Sequence, residues 1–136
     1  TESLCGDGEK ILSKTKMIRD AGYKIEIDDF GSGYSSLGMI TDIPMDYLKL
    51  DISFIKKIIV QKEVARTVIH LAHVMNVKTI AEGVEDATQA QICKELGCDY
   101  IQGYYFSKPI TGDEFSIYAD KYLERKLWTL KYFTIP

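Results

Sequence analysis

The sequence predicts an α/β fold of about four strand–helix units with parallel strands. Three observations carry this prediction. Short runs rich in β-branched and aromatic residues alternate with stretches whose apolar residues recur at helical spacing. Each strand-like run ends in polar residues able to do chemistry. No long linker or low-complexity segment interrupts the alternation. Strand-then-helix order requires crossovers, and right-handed crossovers generate a parallel sheet. Two architectures meet that condition: an open doubly wound sheet, and an arc of a (β/α)8 barrel. A whole barrel takes about 250 residues, so this chain of 136 supplies about half of one.

The elements follow in order. A helix is predicted over residues 8–21, where Ile11, Leu12, Ile18 and Ala21 recur at roughly helical spacing and Gly22 ends the pattern. YKIEI (23–27) reads as the first strand and delivers Asp28 and Asp29 to the glycine-rich turn GSG at 31–33. YLKLD (47–51) is the second strand, carrying Lys49 and Asp51. Residues 62–75 place Val64, Val68, Leu71, Ala72 and Met75 on one helix face. VKTIA (77–81) is the third strand and reaches Glu82. Asp86, with Gln89 three positions later, approximates a capping box and opens a helix over 86–96 that stops at Gly97. CDYIQGYYF (98–106) is the fourth strand and contains Gln102. A last amphipathic helix spans 113–132, with Phe115, Tyr118, Tyr122 and Leu123 as its buried stripe.

Composition narrows the function. The chain is 46% hydrophobic, enough for a real core, and carries a net charge of -3. A nonspecific nucleic-acid binder is usually basic, so DNA is not an expected partner. Cys5, Cys93 and Cys98 are odd in number and lack a framework spacing, so they read as free thiols of a reducing cytosol. Cys93 and Cys98 have no second pair with which to build a zinc site. No apolar run is long enough to span a bilayer and no secretory leader opens the chain; a cytoplasmic location is expected. His70 and His73 lie three apart on a helix with no other histidine to complete a metal set. Trp128, Tyr132 and Phe133 read as packing or contact residues.

The polar strand ends carry the chemistry. In α/β folds the carboxyl ends of parallel strands form the functional rim. Gathered there are Asp28, Asp29, Lys49, Glu82 and Gln102. Asp28 shares its face with Lys24 and Glu26, and Asp29 with Ile25 and Ile27. The two carboxylates therefore converge only if the backbone turns, which the glycines at 31–33 allow. Glu26 needs a partner or water, either Lys24 or a lysine across the barrel. Two carboxylates held close repel unless a cation intervenes. Hard cations such as Mg2+ or Mn2+ prefer oxygen ligands. With Glu82 nearby the cluster could hold one metal or share two, and a pair about 3.5–4 Å apart is the usual clamp for phosphodiester hydrolysis. Lys49 would orient the attacking water or offset phosphate charge. GSGYSS lacks the Gly-Lys-Ser/Thr ending of a Walker loop.

At these residues the sequence resembles the C-terminal half of EAL domains, the bacterial phosphodiesterases of cyclic dimeric GMP. The matching segments are TES, GYKIEIDDFGSGYSSL, IPMDYLKLDISFI, TIAEGVED and LGCDYIQGYYFSKPI, in family order over residues 1 to about 115. The resemblance implies a modified TIM (β/α)8 barrel, of which this chain is the C-terminal half, and a two-metal site loaded with Mg2+ or Mn2+. It implies that Asp28 is shared by two metals, that Asp29 binds the second, and that Lys49 contacts the nucleophilic water. Glu82 would bind the second metal or act as base, and Glu85 would support its loop. Gln102 would line the site near the substrate. Glu2 would brace the DDFGSG loop, in which Ser32 replaces the commoner threonine. The glutamate of the name-giving EAL motif and the asparagine downstream of it have no counterpart in this sequence.

The chain is thus expected to be a partial EAL domain over residues 1–136, its last ~20 residues a C-terminal helix and tail. As a fragment of a cyclic dimeric GMP phosphodiesterase, it is expected to be inactive alone. One alternative is a degenerate EAL domain that binds cyclic dimeric GMP or a partner without cleavage. Another is a phosphoacceptor receiver domain, although Lys49 lies on the strand directly after Asp28 and not near the last strand. Open sheet edges and an inner face expected to expose apolar surface predict a homo-oligomer.

Overall fold

The computed structural model describes residues 2–31 and 43–123, with side chains over 10–31 and 43–121. Its elements, in order, are α1 (Glu2–Asp20), β1 (Glu26–Phe30), β2 (Tyr47–Leu50), α2 (Ile52–Lys56), α3 (Lys62–Val74), β3 (Lys78–Ala81), α4 (Ala87–Glu95), β4 (Tyr100–Ile101) and α5 (Gly112–Leu123). The strands form one sheet in the order β1-β2-β3-β4, every neighbouring pair parallel. A doubly wound sheet reverses its strand order at a switch point. Four parallel strands in plain sequence order match an arc of a (β/α)8 barrel.

The register fixes which side chains face which way. Leu48 pairs with Thr79, Leu50 with Ala81, and Ala81 with Ile101. These residues turn toward the helices and are buried together with Ile55, Ile58, Ala65, Val68, Ile69, Ala72, Cys93 and Leu96. Leu48 and Leu50 are fully buried, and each such side chain stabilises the fold by about 1.5–3 kcal/mol. The opposite face carries Glu26, Asp28, Tyr47, Lys49, Lys78, Ile80, Glu82 and Tyr100 by strand parity. It is therefore largely polar, contrary to the apolar inner face expected from the sequence. Exposed apolar side chains gather instead on α1, where Ile11, Leu12, Met17 and Ile18 are each at least 45% exposed.

Several boundaries differ from the sequence reading. β1 begins three residues later than expected because the Asp46 carboxylate captures the segment before it. That carboxylate accepts hydrogen bonds from the Ile25 amide (2.9 Å) and the Lys24 ammonium (3.1 Å). α2 was not anticipated. Asp51, read as a strand-end acid, is its N-cap and accepts from the Ser53 amide at 2.7 Å. α4 is capped as predicted, Asp86 accepting from the Gln89 amide at 2.8 Å. β4 covers only two residues of the expected 98–106. Beyond it the chain folds across the segment after β3: Gln102 accepts from the Val84 amide at 3.0 Å, and Tyr105 donates to the Val84 carbonyl at 3.0 Å. Residues 124–132 of the last predicted helix lie outside the described residues, as do Trp128, Tyr132 and Phe133.

Candidate functional site at the carboxyl ends of the strands

β1, β2 and β3 each bring an inward-facing side chain to one point, with Lys49 in the middle. Its ammonium stands 3.2 Å from Asp28 Oδ1, 3.1 Å from Glu82 Oε2 and 3.9 Å from Glu26 Oε1. The Lys49 side chain is only 14% exposed. Register brings these groups together. Lys49 pairs with Ile80, and the Glu82 amide donates to the Leu50 carbonyl at 3.0 Å. Glu82 therefore follows Ile80 on the face that Lys49 occupies.

The acid pair is placed by a break in the ladder. Ile27 pairs with Leu48 and Phe30 with Leu50, so two β1 residues, Asp28 and Asp29, oppose the single Lys49. Two residues against one is a β-bulge, which re-aims side chains beside active sites. Asp29 takes the left-handed backbone conformation at φ 55, which Asp enters more readily than most residues. Its amide donates to Asp28 Oδ1 at 2.9 Å. The strict alternation that would separate the two carboxylates therefore breaks at Asp29. Gly31, the first residue of the expected turn, is also left-handed at φ 101, and residues 32–33 lie outside the described residues.

The electrostatics follow from three carboxylates sharing one ammonium. Burial alone would lower the Lys49 pKa, but hydrogen bonds and attraction from Glu82 and Asp28 outweigh it, and the net shift is upward. Lys49 is firmly protonated. Glu26 moves up as well: burial raises it, the Lys49 ammonium pulls it down, and repulsion from Asp28 and Glu82 adds to the rise. A carboxyl whose folded pKa exceeds its unfolded value favours folding below the unfolded pKa, ordinarily 4.5, and loses that contribution as pH rises through the folded value. Glu26→Gln should therefore stabilise the cation-free protein at pH 7 and converge with the parent below roughly pH 4. The Glu26 side chain is 44% exposed, so solvent screening holds the gain to a few tenths up to about 1 kcal/mol. Urea unfolding in EDTA at the two pH values measures it, and a less stable Gln variant at pH 7 would contradict this reading.

The other sequence candidates are distributed as follows. Gln102 comes directly after β4, opposite Glu82, with its amide bonded to the Ala81 carbonyl at 2.8 Å. Glu85 Oε1 lies 3.8 Å from Lys56 Nζ, and the Glu85 amide donates to Gln89 Oε1 at 2.8 Å. Glu2 opens α1, its side chain outside the described residues, and Ser32 lies outside them altogether. Lys24, one of two partners considered for Glu26, pairs with Asp46 instead. Sequence reasoning missed Glu26 as a third carboxylate on Lys49. Its parity with Asp28 was the available signal. His73 is bonded to Asp99 at 2.8 Å, near the amino end of β3 and away from this rim.

The donor chemistry fits a hard divalent cation, because every anionic group at the rim is a carboxylate. Among the described residues, no three of His, Cys, Asp and Glu stand close enough together to hold an ion by themselves. Here the Lys49 ammonium lies between the carboxylates.

Comparison with known proteins bears on this rim. The EAL domain family matches residues 1–109. The chain is 42% identical over 112 residues to the cyclic di-GMP phosphodiesterase NbdA of Pseudomonas aeruginosa, covering 80% of this chain and 14% of NbdA. It is similar to the EAL enzyme Bd1971 in its cAMP- and cyclic-di-GMP-bound form, with a TM-score of 0.75 and 41% identity over 84% of this chain and 31% of that one. It is similar also to BlrP1 of Klebsiella pneumoniae in a manganese/cyclic-diGMP complex, with a TM-score of 0.66 and 31% identity over 71% of this chain and 26% of that one. The chain spans only 14 to 16% of the length of three of the curated relatives it matches, NbdA among them.

Proposed function

The chain belongs to the EAL domain family, and from that premise we propose that its rim serves the hydrolysis of cyclic dimeric GMP to a linear dinucleotide. The observation that carries this is the Lys49 ammonium shared by Asp28 and Glu82 across three adjacent strand ends. Asp28, Asp29 and Glu82 are assigned to hold Mg2+ or Mn2+; manganese is present in the similar BlrP1 complex. A bound divalent cation supplies Lewis acidity that acidifies water and screens phosphate charge.

The chain's own residues do the remaining work. Lys49, firmly protonated, steadies Asp28 and Glu82 and offers its ammonium hydrogens to the attacking water or to a phosphate oxygen. Glu82 can also receive a proton as water attacks. Gln102 presents an amide to the substrate from the neighbouring strand end. Glu85 is assigned to support the segment after β3. Glu2 and Ser32 are assigned to the DDFGSG loop by family resemblance alone, since the Glu2 side chain and Ser32 lie outside the described residues. The family's EAL-motif glutamate and its asparagine have no counterpart among these 136 residues, so the cation set assigned here is the second of the pair.

Two further readings accompany this one. Self-association is supported by β1 and β4 as sheet edges among the described residues and by the exposed apolar side chains of α1. A cytoplasmic setting is supported by Cys93 and Cys98, which remain free, as a reducing compartment keeps them. No described helix is long and apolar enough to cross a membrane.

Calorimetric titration with cyclic dimeric GMP tests the function. Binding should require Mg2+ or Mn2+, disappear in EDTA, and weaken at least about tenfold in Lys49→Ala, a loss of about 1.4 kcal/mol. Equal affinity in EDTA and in Mn2+ would sink the assignment.

A further inference from the structure

The turn between α4 and β4 holds a second piece of chemistry, independent of the rim. α4 ends at Glu95 with Leu96 as its C-cap. Gly97 follows in the left-handed conformation at φ 85. The Gly97 amide donates to the Lys94 carbonyl at 3.1 Å, and the Cys98 amide donates to the Cys93 carbonyl at 3.0 Å. This pair of backbone bonds is a Schellman motif, and it brings the side chains of its two outer residues into contact. Hydrophobic residues usually fill those two positions. Here both are cysteines.

The backbone bond limits how far apart the two residues can be. With a 3.0 Å link from amide to carbonyl, bond lengths keep the two Cα atoms within about 7 Å. Disulfides bridge separations up to about that distance. Both thiols are free and buried. They also interact unequally. A hydrogen bond from Cys98 draws the Cys93 thiol below its ordinary pKa, while the same bond and burial push Cys98 well up. One sulfur is thus favoured as thiolate, with a neighbour placed to resolve it. The corner lies at the surface, where Lys94, Glu95 and Gly97 are exposed.

We propose that Cys93 and Cys98 are a modification site that closes to an intramolecular disulfide when the folded chain meets hydrogen peroxide. Cys93 thiolate attacks one peroxide oxygen, and the O–O bond breaks. The departing hydroxide takes a proton to become water, leaving Cys93 as the sulfenic acid. The Cys98 sulfur then attacks the Cys93 sulfur, and hydroxide leaves with the Cys98 proton as a second water. Two thiols lose two electrons to one peroxide, and one S–S bond forms. The product ties the last turn of α4 to the residue entering β4. The next residue, Asp99, is itself fastened to Thr79 of β3 through the Thr79 amide at 3.0 Å.

The test uses the whole chain under native conditions. Protein is treated with hydrogen peroxide while circular dichroism is monitored, then alkylated in denaturant and digested with trypsin. Cleavage after Lys94 separates the two cysteines, so only a disulfide keeps their peptides together. The expected result is a dithiothreitol-sensitive peptide joining Cys93 to Cys98, with two of the three thiols lost to alkylation and unchanged secondary structure. Cys5→Ser should leave the linkage intact. Cys98→Ser should instead leave a sulfenic acid on Cys93 that dimedone captures. Alkylation of both Cys93 and Cys98 after treatment would overturn the proposal. So would a disulfide through Cys5, or a Cys93–Cys98 linkage formed only after denaturation.

Discussion

Asp28→Asn should reduce divalent-cation affinity on the order of 100-fold, about 2.7 kcal/mol, while leaving the fold almost unchanged. The substitution is nearly isosteric. The amide oxygen of Asn can still accept the Asp29 N–H that Asp28 Oδ1 accepts at 2.9 Å, so the bulge is preserved. What disappears is one full charge from the proposed ligand set, and cation affinity depends on charge count. The link to Lys49, now 3.2 Å to a carboxylate oxygen, weakens from an ion pair to a neutral hydrogen bond. Asp28 is 58% exposed, so the stability change from that loss stays within about 1 kcal/mol. Manganese titration followed by electron paramagnetic resonance reads the affinity, and urea unfolding in EDTA reads the stability. An Asn variant that binds manganese as tightly as the parent would remove Asp28 from the ligand set.

Gly103→Ala should be the most destabilising single methyl addition in this part of the molecule. A Cβ at this position would fall on the backbone carbonyl oxygen and amide nitrogen of Val84. Backbone atoms cannot rotate away as a flexible side chain can. Moving them would break the bond from the Val84 amide to the Gln102 carbonyl (3.0 Å) and the one from the Tyr105 amide to the Val84 carbonyl (3.0 Å). These bonds connect the loop carrying Glu82 and Glu85 to the strand end carrying Gln102. Overpacking usually costs about 1–3 kcal/mol, and the loss of backbone pairing puts this case at or above the top of that range. Thermal melting should show a large drop for Gly103→Ala. By contrast, Gly112→Ala meets no atom within 4 Å and serves as the control. A variant melting within a degree or two of the parent would mean that the loop is not fastened as described.

Much of the rim was legible in the sequence because its logic is one-dimensional. Strand ends are visible from where apolar runs stop, and Asp28 and Glu82 each fall at such a point, while Lys49 and Gln102 are polar positions within the expected strands. Side-chain parity then puts Glu26 and Asp28 on one face. Register is different in kind. That Glu26 reaches Lys49 and not Lys24 depends on Asp46, a residue in another segment, capturing the Lys24 ammonium and the Ile25 amide. The same capture delays β1. The shortness of β4 has a similar origin, since Gly103 lets the chain cross Val84 where an extended run of aromatic residues suggests more strand. α2 spans only five residues, too few for periodicity to register, although Asp51 and Ser53 carried its capping signal. The polar inner face follows from the alternation Tyr47, Leu48, Lys49, Leu50. Its leucines point to the helices and leave tyrosine and lysine on the other side.

The central claim is that the carboxyl ends of these strands form one divalent-cation site organised around Lys49. Paramagnetic mapping tests it most directly. Substoichiometric Mn2+ is added to uniformly 15N-labelled chain, and amide resonances are followed individually. The account predicts that broadening centres on Asp28, Asp29 and Glu82, extends to Gln102, and vanishes in Asp28→Asn. Broadening centred elsewhere, such as on Asp46, Asp99 or the acidic start of α5, or a pattern unchanged in Asp28→Asn, would contradict it.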